Sequence, residues 1–245
     1  GDGVRLADAM ERAGRDPEAI GRDDERLSRI GAFVELHVEQ GRYLADTPYP
    51  VGVASAIWPH GRWRFDFPGE ANHAGTTRLD DRRDPMLAYA AAVLSARELA
   101  RETGALATFG KVRVEPNGTN AIASLVTAWL DSRAADSATL DTLVKAITEA
   151  AEGASEGVEV TRESYTPVVD FDVPLRDRLA RVLGGVPVLP TGAGHDAGIL
   201  ASAVPTAMLF VRNPTGVSHS PHEHAEETDC LAGVTALADV LQDLL

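Results

Sequence analysis

The polar and apolar positions of this chain change period several times, and each change marks an element. Between residues 60 and 68, Trp63, Phe65 and Phe67 alternate with Arg62, Arg64 and Asp66. A period of two predicts a strand with one buried and one wet face. Asp84-Pro85 then opens a helix, Asp as N-cap and Pro in its first turn, with Met86, Tyr89/Ala90, Val93 and Leu99 as its apolar positions. Two more alternating strands follow, around Val112/Val114 and Val126/Ala128/Leu130. A helix carrying Leu140, Leu143, Val144 and Ile147 precedes a strand around Val158/Val160. Strand–helix–strand–strand–helix–strand is the split βαβ order of a ferredoxin-like α+β unit.

The flanks read differently. Residues 1–57 mix helical signal at Leu6 and Met10 with two apolar runs, Phe33–Val38 and Val51–Ile57, split by the polar stretch EQGRYLADT. After Asp172 a short helix (Leu175, Leu179, Val182) leads to a strand at Val186–Leu189 and then the turn PTGAGHDAG. A second helix, a strand at Thr206–Val211 and a terminal helix (Leu231, Val234, Leu237, Leu241, Leu244) follow. Strands alternating with helices predict a mostly parallel sheet flanked by helices. The expected fold is thus an α/β domain made of 1–57 and 172–245, into which an α+β unit, 58–171, is inserted.

Charge narrows the partners. A formal net charge of −14 argues against nucleic acid and anionic membranes, which need clustered Lys and Arg. No apolar run approaches the ~18 residues of a membrane span, and no signal peptide opens the chain. One cysteine, Cys230, excludes an internal disulfide framework and fits a reducing cytoplasm; its place at the start of the terminal helix suggests packing. The chain begins Gly-Asp-Gly in mid-pattern, which reads as a truncated or processed start.

The candidate chemistry lies among seven histidines. His37 ends an apolar strand, and the carboxyl end of a parallel strand faces the crevice where α/β sheets bind ligands; a hydrogen-bonded core histidine is the alternative. Glu39 and Gln40 follow, equally readable as helix-start residues. His73 sits in a loop of Gly, Asn and Thr. Asn120 and Arg133 bracket the hairpin of the inserted unit and together could hold a planar carboxylate; singly, each reads as structural. In LPTGAGHDAG two glycines, Gly192 and Gly194, precede His195 and Asp196 between strand and helix, allowing close backbone approach to a ligand. GVSHSPHEHAEE clusters His219, His222 and His224, but Glu226 and Pro221 break the HExxH pattern. The GASEG segment at 153–157 joins a helix to a strand, the reverse of a nucleophile elbow.

Taken together, ELHVEQG, GEANHAGTTRLDDRRDP, the PNGTNAI–LDSR pair, PTGAGHDAG and GVSHSPHEH resemble the M20-type amidohydrolases, which include N-carbamoyl-L-amino-acid hydrolase, β-ureidopropionase and allantoate amidohydrolase. The resemblance runs over nearly the whole chain, Ala123 departing from a common Pro. It implies a catalytic α/β domain whose N-terminal portion is absent and a lid/dimerisation domain at 58–171. His37 and His219 match ligands of a two-metal site for Zn or Mn, and His73 matches a catalytic residue that stabilises an oxyanion. Gln40, Asn120, Arg133, Gly194 and His195 match substrate-holding residues. The activity implied is hydrolysis of a linear ureido or amide C–N bond beside a carboxylate, with allantoate first and N-carbamoyl amino acids second, in a cytoplasmic homodimer. The further metal ligands and the general base of the family precede Gly1 in the pattern. A catalytically incomplete binding or dimerisation module is therefore the competing expectation, and an M20 peptidase is disfavoured by a histidine at position 37.

Overall fold

A computed structural model of the chain describes residues 3–245; residues 1 and 2, where the first expected segment begins, lie outside the described residues. Two sheets dominate. In chain order the strands are β1 (Phe33–Val38), β2 (Val51–Ile57), β3 (His60–Pro68), β4 (Asn72–His73), β5 (Leu106–Glu115), β6 (Ala121–Ile122), β7 (Leu125–Arg133), β8 (Glu159–Thr166), β9 (Val169–Asp170), β10 (Val188–Thr191) and β11 (Thr206–Val211). The helices are α1 (Leu6–Arg12), α2 (Asp24–Leu27), α3 (Pro85–Thr103), α4 (Ser137–Ala154), α5 (Val173–Val182), α6 (Asp196–Leu200) and α7 (Glu227–Leu244).

The first sheet runs β1-β11-β2-β10, with β9 added on β2. β1 pairs parallel with β11 and β10 parallel with β2, while the β11–β2 junction between them is antiparallel. Helices cover both faces. Val51, Val53, Ala207 and Leu209 pack against Leu175 and Leu179 of α5 and Ala236 and Val240 of α7. Ala54, Ile57, Met208 and Phe210 pack with Ala197 of α6, Leu44 and Phe171. That double cover is why β11 is buried at all six positions and reads as an unbroken apolar run. On β1, Val34 and Leu36 join the α5/α7 side, so Glu35 and His37, one pleat out of step, face the α6 side.

The second sheet, β5-β7-β3-β8, is antiparallel throughout and has the ferredoxin-like order that the alternation predicts. Trp63, Phe65, Phe67, Val126, Ala128 and Leu130 meet α3 and α4 in one core. The other face carries Arg62, Asp131 and Arg133, with Arg62 directly across from Asp131.

Four expectations shift. The buried face of α3 is Ala88, Ala92, Ala96 and Ala100, with Tyr89 and Leu99 packed at its margin and Met86 exposed. Small side chains let α3 lie close to the sheet, and Leu87 and Leu94 point outward. On α7 the buried positions are Asp229, Gly233, Ala236 and Val240. Leu231, Val234 and Leu241 are exposed, only Leu237 and Leu244 of the expected set packing inward; Asp229 is drawn in by a two-pronged ion pair with Arg212 at 2.8 Å. Cys230, one residue on, is exposed rather than packed. The strand expected at Val186–Leu189 starts two residues later.

Candidate functional site

The site begins with two side chains on one strand. Glu35 and His37 project from β1 towards α6, whose N-cap is His195. His37 Nδ1 lies 2.8 Å from the carbonyl of Val38. A carbonyl only accepts, so Nδ1 carries the proton and Nε2 keeps a free lone pair. One carboxylate oxygen of Glu35 accepts the Ala197 N–H at 2.6 Å, tying β1 to the first turn of α6. The other lies 3.7 Å from His195 Nδ1. The His37 and His195 rings meet edge-on with centroids 4.6 Å apart. Gly198 lets α6 sit this close, because a Cβ there would meet Ile57 Cδ1 at 2.5 Å.

Glu35, His37 and His195 each offer a ligand atom, all within 4.8 Å of one another. The His195 side chain is 3% exposed, and its Nε2 is buried without a hydrogen-bond partner. Burial, then the neighbouring His37, push its pKa down to about 4 against a small opposing pull from Asp196, so the ring is neutral at pH 7. A buried imidazole nitrogen with no partner is costly, and two imidazoles beside a carboxylate form a donor set suited to Zn or Mn. The residues fit a divalent cation.

Beside this cluster lies a cleft of about 630 Å³ between the two sheets. Gln40, Arg133, Gly194 and His219 line it, joined by His60 and Arg62. Gln40 Nε2 donates to Ser218 Oγ at 2.9 Å, and Ser218 Oγ donates to Glu223 at 3.0 Å. The second oxygen of Glu223 accepts the His219 N–H at 2.9 Å. This tether holds His219 in left-handed backbone at φ 55°, unusual for a non-glycine. Arg133 forks onto Asp131 through Nε and Nη2, at 2.8 and 3.1 Å, and its Nη1 donates to the carbonyl of Gly192. Arg62 approaches Asp131 at 3.5 Å. Burial would raise the Asp131 pKa, but hydrogen bonds and charge from Arg133 and Arg62 outweigh it and hold the carboxyl below its ordinary value.

The expected residues therefore fall into three places. His37 and His195 share the donor cluster, which does not include His219; His219 lines the cleft with Gln40, Arg133 and Gly194. His73 and Asn120 are brought side by side by the β4–β6 pairing, where Ala74 N–H donates to the Asn120 carbonyl at 2.9 Å. Both are exposed and neither lines the cleft; His73 Nδ1 accepts from its own loop at Gly75. His222 and His224 join no metal-capable group among the described residues. Glu39 starts a short helical turn, accepting from the Tyr43 and Leu44 N–H groups at 2.6 and 2.9 Å. Glu35, Arg62 and Asp131 escape a reading by motif. The available signal is strand parity: Glu35 is two residues from His37 and Asp131 two from Arg133, so each pair shares a face.

Comparison with known proteins agrees with this geometry. Residues 10–243 match the family described as Peptidase family M20/M25/M40. The chain is 38% identical to an N-carbamoyl-L-amino acid amidohydrolase of Geobacillus stearothermophilus, covering 96% of this chain and 60% of that protein. It is 34% identical to an allantoate amidohydrolase of Escherichia coli (strain K12), covering 88% and 55% respectively. A solved structure of AtUAH in complex with (S)-hydroxyglycine superposes with a TM-score of 0.87 at 28% identity, covering all of this chain and 61% of that one. A hydantoinase/carbamoylase family amidase from Burkholderia vietnamiensis gives a TM-score of 0.86 at 27% identity, covering 98% and 59%. The chain thus spans about three fifths of the length of these relatives. With the family match running nearly end to end and the donor cluster falling inside it, this chain belongs to the M20/M25/M40 peptidase family and is similar to its amidohydrolase members.

Proposed function

We propose that this chain carries the substrate-reading part of a metal-dependent amidohydrolase acting on a linear ureido or amide C–N bond beside a carboxylate. The observation that carries the reading is the donor set of half-buried Glu35 and His37 with buried His195 and its unpartnered Nε2, next to a cleft lined by Arg62 and Arg133. Those two arginines share one counter-ion, Asp131, and both line the cleft together with Glu39; the N–H donors they leave there suit an anionic ligand. A divalent cation held here would polarise a carbonyl and lower the pKa of water. His37 offers Nε2, Glu35 fixes the turn that presents His195, and Arg133 offers a carboxylate contact. Gln40, Gly194 and His219 surround the ligand, with His219 as the residue for a second cation. His73 and Asn120 approach on closure of residues 58–171, hinged near Ile57–His60 and Val169–Val173. Allantoate and N-carbamoyl-L-amino acids are the first substrates to try, as the names of the two relatives suggest.

The partner expected besides substrate is a second copy. Leu87 and Leu94 on the outer side of α3 are 72% and 69% exposed, and the edge strand β5 exposes Leu106 and Val112; an apolar helix face beside an open edge favours association. Equilibrium sedimentation tests it, a monomer at high concentration counting against the dimer. For the reaction, titration of Mn²⁺ and Zn²⁺ into the chain and into His37→Ala is paired with turnover of allantoate and N-carbamoyl-L-alanine. Metal uptake lost in His37→Ala, with hydrolysis dependent on it, is the expected result. Metal uptake without turnover would favour the binding-module alternative, and equal uptake by both proteins would remove the metal reading.

A further inference from the structure

Arg133 has five N–H donors, and the structure commits three of them. Nε and Nη2 go to the two oxygens of Asp131, and Nη1 goes to the Gly192 carbonyl in the loop before His195. One N–H on each terminal nitrogen is uncommitted, and a planar carboxylate accepts from two such donors of an arginine. Asp131 is itself held from the neighbouring strand, where Arg62 lies directly across from it. Both Asp131 and Arg133 are half-buried on the polar face of the ferredoxin-like sheet, and Arg133 lines the cleft.

We infer that Asp131 is a positioning residue: by filling the Nε side of Arg133 it fixes the guanidinium plane and leaves the outer edge facing the cleft as a carboxylate-reading fork. This deepens the proposed function and rests on it for the identity of the ligand. The argument for fixation is geometric. A free arginine spreads over many rotamers, and ordering it on binding costs affinity. Two hydrogen bonds to a charged carboxylate remove most of that freedom beforehand. Asp131 also lies two residues from Arg133 on the same strand, so the backbone itself sets their separation. Arg62 keeps Asp131 from swinging away and adds positive charge without forking onto it.

The test uses Asp131→Asn, which keeps the shape and loses the charge and one of the two acceptor positions. Binding of N-carbamoyl-L-alanine and of its carboxamide analogue, N-carbamoyl-L-alaninamide, is measured by calorimetry on the metal-loaded chain. Alongside it, the Arg133 Nε–H resonance, assigned by its loss in Arg133→Lys, is followed by NMR without ligand. Wild type should prefer the carboxylate at least tenfold, and Asp131→Asn should lose most of that preference while binding the amide about as before. The Arg133 Nε–H should be slow to exchange in wild type and rapid in the variant, with the thermal midpoint little changed. A resonance equally protected in both proteins would overturn the positioning role, whatever the ligand data show. An undiminished carboxylate preference in Asp131→Asn would overturn it too. Equal binding of the two probes by wild type would instead sink the carboxylate reading of the cleft, with the NMR comparison still deciding what Asp131 does to Arg133.

Discussion

The two sheets of this protein solve opposite problems. The ferredoxin-like sheet covers one face with α3 and α4 and lines the other with polar and charged side chains, which are available for chemistry. Arg62, Asp131 and Arg133 are among them and meet across β3 and β7. The α/β sheet is covered on both faces, which leaves only strand ends and the loops beyond them. Most of its functional groups sit there accordingly, His37 near the end of β1, Gln40 just past it, His195 at the start of α6 and His219 in a tethered loop, while Glu35 reaches the cluster from within β1. The half-covered sheet offers surface-like charges that read an anion, and the covered sheet offers a desolvated pocket that suits a cation. The cleft is the place where the two kinds of environment touch.

The comparison breaks most easily at the cores. Phe65→Ala removes a fully buried ring from the ferredoxin-like core and should cost about 3–5 kcal/mol. Calorimetry should show the loss in a transition belonging to residues 60–166, with the α/β transition unmoved; a single transition moving as a whole would show that the two cores are one cooperative unit. Next in size is the desolvated histidine. In chelator-treated protein the folded pKa of His195 lies near 4, below the ordinary 6.5, so the unfolded chain binds the extra proton first. Stability from this group is complete above pH 6.5 and declines through that window, by about 3 kcal/mol at pH 4. Denaturant curves across pH should be flatter by that amount in His195→Asn, and parallel curves would place the histidine in a wetter environment.

Arg133→Lys keeps the charge and loses the fork. It should weaken carboxylate binding by about 1–3 kcal/mol and leave an amidated ligand nearly unaffected, as calorimetric titration of both would show; equal losses would make Arg133 a fold residue. The smallest effects should be alike in both units. Asp172 caps α5 by accepting from the Leu175 N–H at 2.8 Å, and Asp136 caps α4 by accepting from the Thr139 N–H at 2.8 Å. Alanine at either should cost about 1 kcal/mol, each loss confined to its own unit's transition in the same calorimetric experiment.

The sequence by itself determined the elements whose causes are local. The alternation from Trp63 to Phe67 places β3, the Asp84-Pro85 pair starts α3, and the apolar runs Phe33–Val38 and Val51–Ile57 become β1 and β2 within the same bounds. Strand parity fixes which residues share a face, and motif resemblance separates the candidate histidines from the rest. Tertiary structure decided everything that depends on distance between segments. Which side of α3 is buried was settled by how closely alanines let it approach the sheet, not by where its largest apolar residues fall. The partner of His37 turned out to be His195 from beyond β10, with Glu35 between them, because β1 and α6 pack on one side of the first sheet. Arg133 met Asp131, its neighbour two residues back on the strand, and Gly192, which lies 59 residues away. Periodicity records the burial of one segment against an average interior; ligand sets and forks need particular atoms a few ångströms apart, and only the folded chain brings them there.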